Sequence, residues 1–279
     1  MRKSAFGVVI VAITYLTFAH SALGQQLEEK TTEQQLSELN WLKPGSVGRV
    51  ADKAEFKVTD GLTFLGAADT DKFLKINGNP PQGNSYTVAS VNANWFGILS
   101  FEAGGYVKDD EKIDADALLN ALKEGNVRDI EERRKQGLPV LTLEGWHFPP
   151  RYDTANKRLE WGVKFRSEQD QSLIVNVTSK ILGRSGHTTT ILVTSPDTLE
   201  KDLLEFKEAL THFDYVSGEK YSEWKEGDKV AAYGLGALVL GGAAAAATSK
   251  IGIKAVGLAI LAGLAALWAG IKRFFGRKA

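Results

Sequence analysis

"VLTLEGWHFPPRYDTANKRLEWGVKFRSEQDQSLIVNVTSKILGRSGHTTTILVTS", residues 140–195, contains four runs rich in β-branched and aromatic side chains: VLTLEGW, RLEWGVKF, SLIVNVTSKIL and TTTILVTS. Such side chains fit a pleated, half-buried surface. The runs are separated by Pro149-Pro150, by Glu168–Gln171 and by Gly183–Gly186. These spacings suit an antiparallel meander. LGRSG at 182–186 is a hairpin signal, with Gly183 and Gly186 expected at positive φ and Arg184 projecting at the tip.

Working outward, helices alternate with shorter strands. TTEQQLSELNWL predicts an amphipathic helix capped at Thr31 or Thr32, with Leu36, Leu39 and Leu42 on one face. RVADKAEFKV reads as a loose strand, Thr59-Asp60-Gly61 as a turn, and LTFL as a returning strand. DTDKFLKING predicts a helix ended by Asn77-Gly78, and YTVASVN with WFGILSFEAGGYV predicts a strand pair joined near Asn92–Asn94. A further helix is expected over 115–136, with Leu118, Leu119, Leu122, Val127 and Ile130 on its apolar face. A last helix opens at SPDTLEKDLLEFKEALTHF with Ser195 or Asp197 as cap. The fold class is α+β: an antiparallel sheet with packed helices.

The ends carry membrane signals. Arg2 and Lys3 precede an apolar stretch, and Ala22-Leu23-Gly24 resembles a cleavage site, so 1–24 reads as a signal peptide. Residues 255–271 are uncharged and run into Lys272-Arg273 and Arg277-Lys278, the pattern of a transmembrane anchor with a basic cytoplasmic tail over 255–279. Between them, 25–228 is expected as an exported domain and 229–254 as a Gly/Ala-rich juxtamembrane helix. A tight two-helix hairpin is the alternative. Ala262, Ala266 and Gly270 offer a small-residue face for self-association. The expected location is a bacterial inner membrane, with the domain extracytoplasmic.

Composition narrows the chemistry. The 279 residues hold 34 Lys plus Arg, 34 Asp plus Glu and no cysteine. No basic excess points to nucleic acid. Disulfides, thiolate metal sites and thiol catalysis are excluded. There is no HxxxH or HExxH spacing, no G-x-S-x-G elbow and no P-loop, so neither a metal nor a cofactor is expected.

Two stretches concentrate functional side chains. GYVKDDEKIDADALL (105–119) places five acids in eight positions. Asp114 and Asp116 suit a helix N-terminus, which leaves Asp109 and Asp110 as candidates at a strand-to-helix turn. GWHFPPRYDTANKRLEWG (145–162) gathers Trp146, His147, Arg151, Tyr152, Asp153 and Trp161. Its readings are a packed corner, a binding ridge for a peptide or glycan, or a His147–Asp153 acid–base pair. Arg184 is a further candidate, for an anion or a lipid head group.

These two strings, with LGRSGHTTTILV (182–193) and DKVAAYGLGALVLGG (228–242), resemble the DUF2167 family of bacterial membrane-anchored proteins over most of 40–245. The resemblance implies an exported domain with a C-terminal anchor and carries no activity or catalytic residue. The leading expectation is a membrane-anchored envelope protein that binds or scaffolds, with an envelope protein or itself as partner. The alternatives are an envelope hydrolase or lyase using Asp109, Asp110, His147 and Asp153, and an oligomeric membrane subunit.

Overall fold

The computed structural model describes residues 31–241, apart from 78, 80, 93–94 and 136–139. The expected signal peptide, the transmembrane anchor with its small-residue face, and the Gly/Ala run beyond 241 lie outside the described residues. Among those described, no helix is long and apolar enough to cross a membrane.

Thr31 caps α1 (Thr32–Ser37) reciprocally, its hydroxyl accepting from the Gln34 N–H while the Gln34 side chain accepts from the Thr31 N–H. The loose strand that follows is a hairpin. Strands β1 (Val47–Val50) and β2 (Ala54–Lys57) flank Ala51 and Asp52, at φ 51° and 52°. Left-handed backbone without Gly or Asn gave no turn signal. β3 (Leu62–Leu65), α2 (Ala67–Ile76), β4 (Ser85–Ser90) and β5 (Trp95–Glu102) follow where expected. Asp114 accepts a 3.0 Å hydrogen bond from the Ala117 N–H and caps α3 (Ala115–Lys135).

The four β-rich runs form β6 (Leu141–Asp153), β7 (Arg158–Ser167), β8 (Leu173–Leu182) and β9 (His187–Thr194). α4 (Leu199–Ala209) starts after Thr198; Ser195 and Asp197, the expected caps, lie in the preceding turn. β10 (Phe213–Tyr215) and α5 (Leu235–Val239) complete the described chain.

The main sheet is antiparallel, ordered β3-β4-β5-β9-β8-β7-β6; a second sheet is ordered β1-β2-β10. Two meanders, β3-β4-β5 and β6-β7-β8-β9, meet where β5 pairs with β9 from Trp95↔Thr194 to Glu102↔His187. Pro149-Pro150 does not separate two strands. β6 runs through the prolines to Asp153, with register shifts between Leu143 and Arg151. As an edge strand it tolerates the missing N–H groups. The true corner is at 154–157, where Lys157 takes φ 50°.

One sheet face buries Phe64, Val88, Leu99, Val177 and Leu192 beneath the small sheet and Phe206 of α4. The other face carries two apolar clusters. α1 and α2 cover Leu65, Phe96, Ile98, Ile191 and Val193, while α3 and α5 cover Leu143, Leu159, Trp161, Val163 and Phe165. The segment expected as a juxtamembrane helix thus contributes Leu235, Leu238 and Val239 to the core.

The expected apolar face of α3 is right at Leu118 and Leu122 but not at Val127, which is 61% exposed. Asn126 is buried instead. Its amide donates to the Leu141 carbonyl (3.0 Å) and accepts from the Leu143 N–H (2.8 Å). It stands in for the neighbouring strand that the outer edge of β6 lacks. Asn126→Leu should therefore cost about 2–4 kcal/mol by leaving two buried backbone groups unpaired, whereas Val127→Ala should stay within about 0.5 kcal/mol. Urea unfolding of the two variants checks the contrast.

Candidate functional site

The acidic turn and the aromatic corner meet. β5 is followed by Gly104-Gly105, and the chain after them lies along the β6–β7 hairpin. Asp109 Oδ2 accepts from the Tyr152 hydroxyl (2.8 Å) and from Lys157 Nζ (2.9 Å). Burial alone would raise the Asp109 carboxyl, but Lys157 and the two tyrosines, Tyr152 and Tyr221, outweigh it and hold the group below the usual range. Burial and Asp109 push the Tyr152 phenol well above its ordinary value, and burial leads the same shift at Tyr221. The carboxylate thus accepts from the Tyr152 phenol and the Lys157 ammonium in a charge-assisted contact.

Around this contact the other candidate strings close into one clasp. The Gly105 N–H donates to the Ser185 carbonyl (3.0 Å), and Tyr106 exchanges backbone hydrogen bonds with Lys229 and Ala231 (both 2.8 Å). Gly105 takes φ +97°, and a Cβ there would sit 2.8 Å from the Lys229 carbonyl oxygen. Arg184 does not project into solvent. Its guanidinium grips Asp228 through Nε (2.6 Å) and Nη2 (2.7 Å), while Nη1 donates to the Gly218 carbonyl (3.1 Å). A forked ion pair of this kind is among the stronger polar contacts. Glu111 accepts from the Gly236 N–H at the start of α5 (3.1 Å), and a Cβ on Gly234 would collide with its carboxylate. Gly234 and Gly236 therefore serve packing, as expected.

Gly183 and Gly186 are required for a different reason from the one expected, since neither takes positive φ. A Cβ on Gly186 would lie 2.1 Å from the Glu102 carbonyl oxygen, and one on Gly183 would meet the Tyr215 ring at 2.8 Å.

The remaining candidates do not join Asp109. His147 Nε2 faces Glu200 of α4 at 3.1 Å. Asp153 closes an Asx turn on the N–H groups of Ala155 (3.0 Å) and Asn156 (3.1 Å). Arg151 stacks over the Phe148 ring at 5.7 Å, Trp161 is core, and Trp146 Nε1 donates to the Ala115 carbonyl (3.2 Å). Asp110 is exposed. The four residues of the hydrolase reading are thus not gathered, and the His147–Asp153 pair does not form. Among the described residues, no group of three or more His, Asp and Glu side chains is placed to hold a metal ion.

Sequence reasoning missed a polar cluster between the two apolar clusters of the sheet. Lys180, an inward position of β8, directs its buried ammonium at Glu102 Oε1 (3.1 Å), His187 Nε2 (3.0 Å) and Thr189 Oγ1 (2.9 Å). Thr189 in turn donates to Glu102. His187 Nε2 also lies 3.4 Å from Glu102 Oε1, so the imidazole stands between the carboxylate and the ammonium. Its Nδ1 is buried and has no partner in the structure. Burial would raise Glu102, but His187, Lys180 and Thr189 hold it far below the carboxylate range. Burial lowers both Lys180 and His187. The available signal was a lysine among inward-facing Thr178 and Leu182.

A family model described as "Protein of unknown function (DUF2167)" matches residues 42–272. No curated protein matches. Among solved structures, the solution structure of cyanobacterial PsbP (CyanoP) from Synechocystis sp. PCC 6803 is similar at 12% identity, covering 61% of this chain and 93% of that one with a TM-score of 0.35.

The cluster makes two predictions. Glu102 keeps 42% of its side-chain exposure, whereas Lys180 is buried. Glu102→Gln strands a buried cation and should cost about 3–5 kcal/mol; Lys180→Met leaves a carboxylate that water can reach and should cost less. The reverse order in urea unfolding would remove Glu102 as the counter-ion. Because His187 is lowered on folding, the unfolded chain takes up its proton first. Its contribution is complete above the unfolded value of about 6.5 and is lost as the pH falls below that value. His187→Asn should flatten this part of the stability–pH curve.

Proposed function

The chain belongs to the DUF2167 family, and from that premise we propose that it is a membrane-tethered envelope protein whose extracytoplasmic α+β domain binds or scaffolds an envelope component. One observation carries the reading. The turn at 105–111, the corner at 152–157, the hairpin at 183–186 and the segment 218–236 all converge on the stretch that leads toward the uncharged run at 255–271. Side chains spent on one another in this way fix the exit direction of the chain relative to the sheet. Their protonation states favour holding over proton transfer, because Asp109 stays charged and Tyr152 stays neutral across the neutral range.

In this reading the domain is a rigid body on a membrane anchor, and the clasp is the coupling between the two. A loosened clasp would leave the sheet folded while freeing the domain to swing on its tether. Arg184 and Asp228 are the residues whose loss does this most directly, since their forked contact joins the β8–β9 hairpin to the exit segment.

Topology is testable by fusion. Alkaline phosphatase, which needs export, should be active when fused after Gly241 and inactive when fused after Ala279, and the full chain should resist carbonate extraction from membranes. A fusion after Gly241 that works only as a cytoplasmic reporter would sink the reading. Arg184→Ala should shift protease cleavage into 217–230 while the sheet core stays protected.

A further inference from the structure

We infer that the patch formed by Tyr106, Trp224 and Val230 is the surface on which the domain rests against lipid head groups, a proposal that rests on the tethered reading above. Trp224 and Val230 are each 40% exposed. They are joined through Tyr106, whose backbone bridges Val230 and whose ring lies 5.2 Å from the Trp224 ring. The other large exposed apolar side chains, such as Leu204 on α4 and Val127 on α3, belong to other elements.

The patch has a firm backing. The Tyr106 ring stacks on Tyr221 at 4.4 Å, the Tyr221 hydroxyl donates to the Val107 carbonyl (2.8 Å), and Lys157 Nζ sits 5.0 Å from the Tyr221 ring centre. A held aromatic pair presents contact area with little ordering left to do on binding.

Its rim carries charges of both signs. Lys108, Lys225 and Lys229 are exposed beside the patch, as are Asp110 and Glu226, while the acids Asp109 and Asp228 are occupied by Lys157 and Arg184. Trp and Tyr prefer the head-group level of a bilayer, and lysines at an anionic surface add attraction while their stems cover apolar area.

Position in the chain selects a membrane as the occupant over a protein. The patch lies on the exit segment, whose last described residues pack into the core at Leu238 and Val239. Only 13 residues, 242–254, separate Gly241 from the uncharged run beginning at Ala255. Fully extended they span about 50 Å at most. A domain held so closely, by a segment that carries the patch itself, meets the bilayer surface at high effective concentration.

The chain has no cysteine, so one introduced thiol is a unique label. Val230→Cys and, on α4, Leu204→Cys are each labelled with bimane in the full chain. The proteins are reconstituted into zwitterionic vesicles, with and without anionic lipid, that carry a head-group nitroxide. The label at 230 should be quenched several-fold more than the label at 204. Anionic lipid should strengthen that quenching, and Lys225→Glu with Lys229→Glu should weaken it without changing flotation. Equal quenching at both positions in vesicles that float with the protein overturns the patch and leaves the tether standing. So does a label at 230 that is shielded but unquenched, which would mean a protein covers it. Failure of the full chain to float with vesicles overturns the tethered reading, and the patch with it.

Discussion

The antiparallel pairing of β5 with β9, from Trp95↔Thr194 to Glu102↔His187, joins the two meanders into one sheet. β5 and β6 are consecutive in sequence but lie four strand positions apart. The chain between them must cross one face of the sheet, which is where α3 lies over β6. Everything at the far end of β5 follows from this register. It sets Glu102 opposite His187, brings Gly186 against the Glu102 carbonyl, and places the Gly104-Gly105 turn beside the β8–β9 hairpin. A slip of one residue would turn Glu102 and Lys180 to opposite faces.

Much of this was legible in the residues. The four β-rich runs became four strands in the expected antiparallel order, and Asp114 caps α3 by accepting from the Ala117 N–H. What escaped was information held between elements. The edge position of β6 decides that Pro149-Pro150 sit within a strand, and edge position belongs to the topology. The burial of Asn126 in place of Val127 depends on two backbone groups of β6 that no helical periodicity encodes. The β1–β2 turn places Ala51 at φ 51°, where turn statistics favour Gly, Asn or Asp.

The candidate site divides in the same way. Asp109 and Tyr152 were singled out separately and prove to be hydrogen-bonded, although 43 positions separate them. Arg184 was read as a free cation because its partner, Asp228, lies in a segment with no local cue. The Lys180 cluster was invisible because each member looks ordinary alone. A lysine in a strand is commonly solvent-facing, and only the tertiary fold buries this one beside Glu102 and His187. The strings quoted for the family resemblance thus meet one another in the fold, at Asp109–Tyr152, Gly105–Ser185 and Arg184–Asp228.

The two borders of the main sheet differ in construction. β3 is four residues long, with Leu42 bridging Phe64 on its outer side, while β6 is thirteen residues long, with Asn126 occupying one half and prolines and register shifts breaking the other. Neither border offers a straight run of free backbone donors and acceptors to a second molecule. Long open strand edges template pairing between chains, so these borders stop a seven-stranded sheet from growing into its neighbours. Pro149 and Pro150 thus bear on contacts between molecules as well as within one, denying a second copy of the domain a ladder to extend.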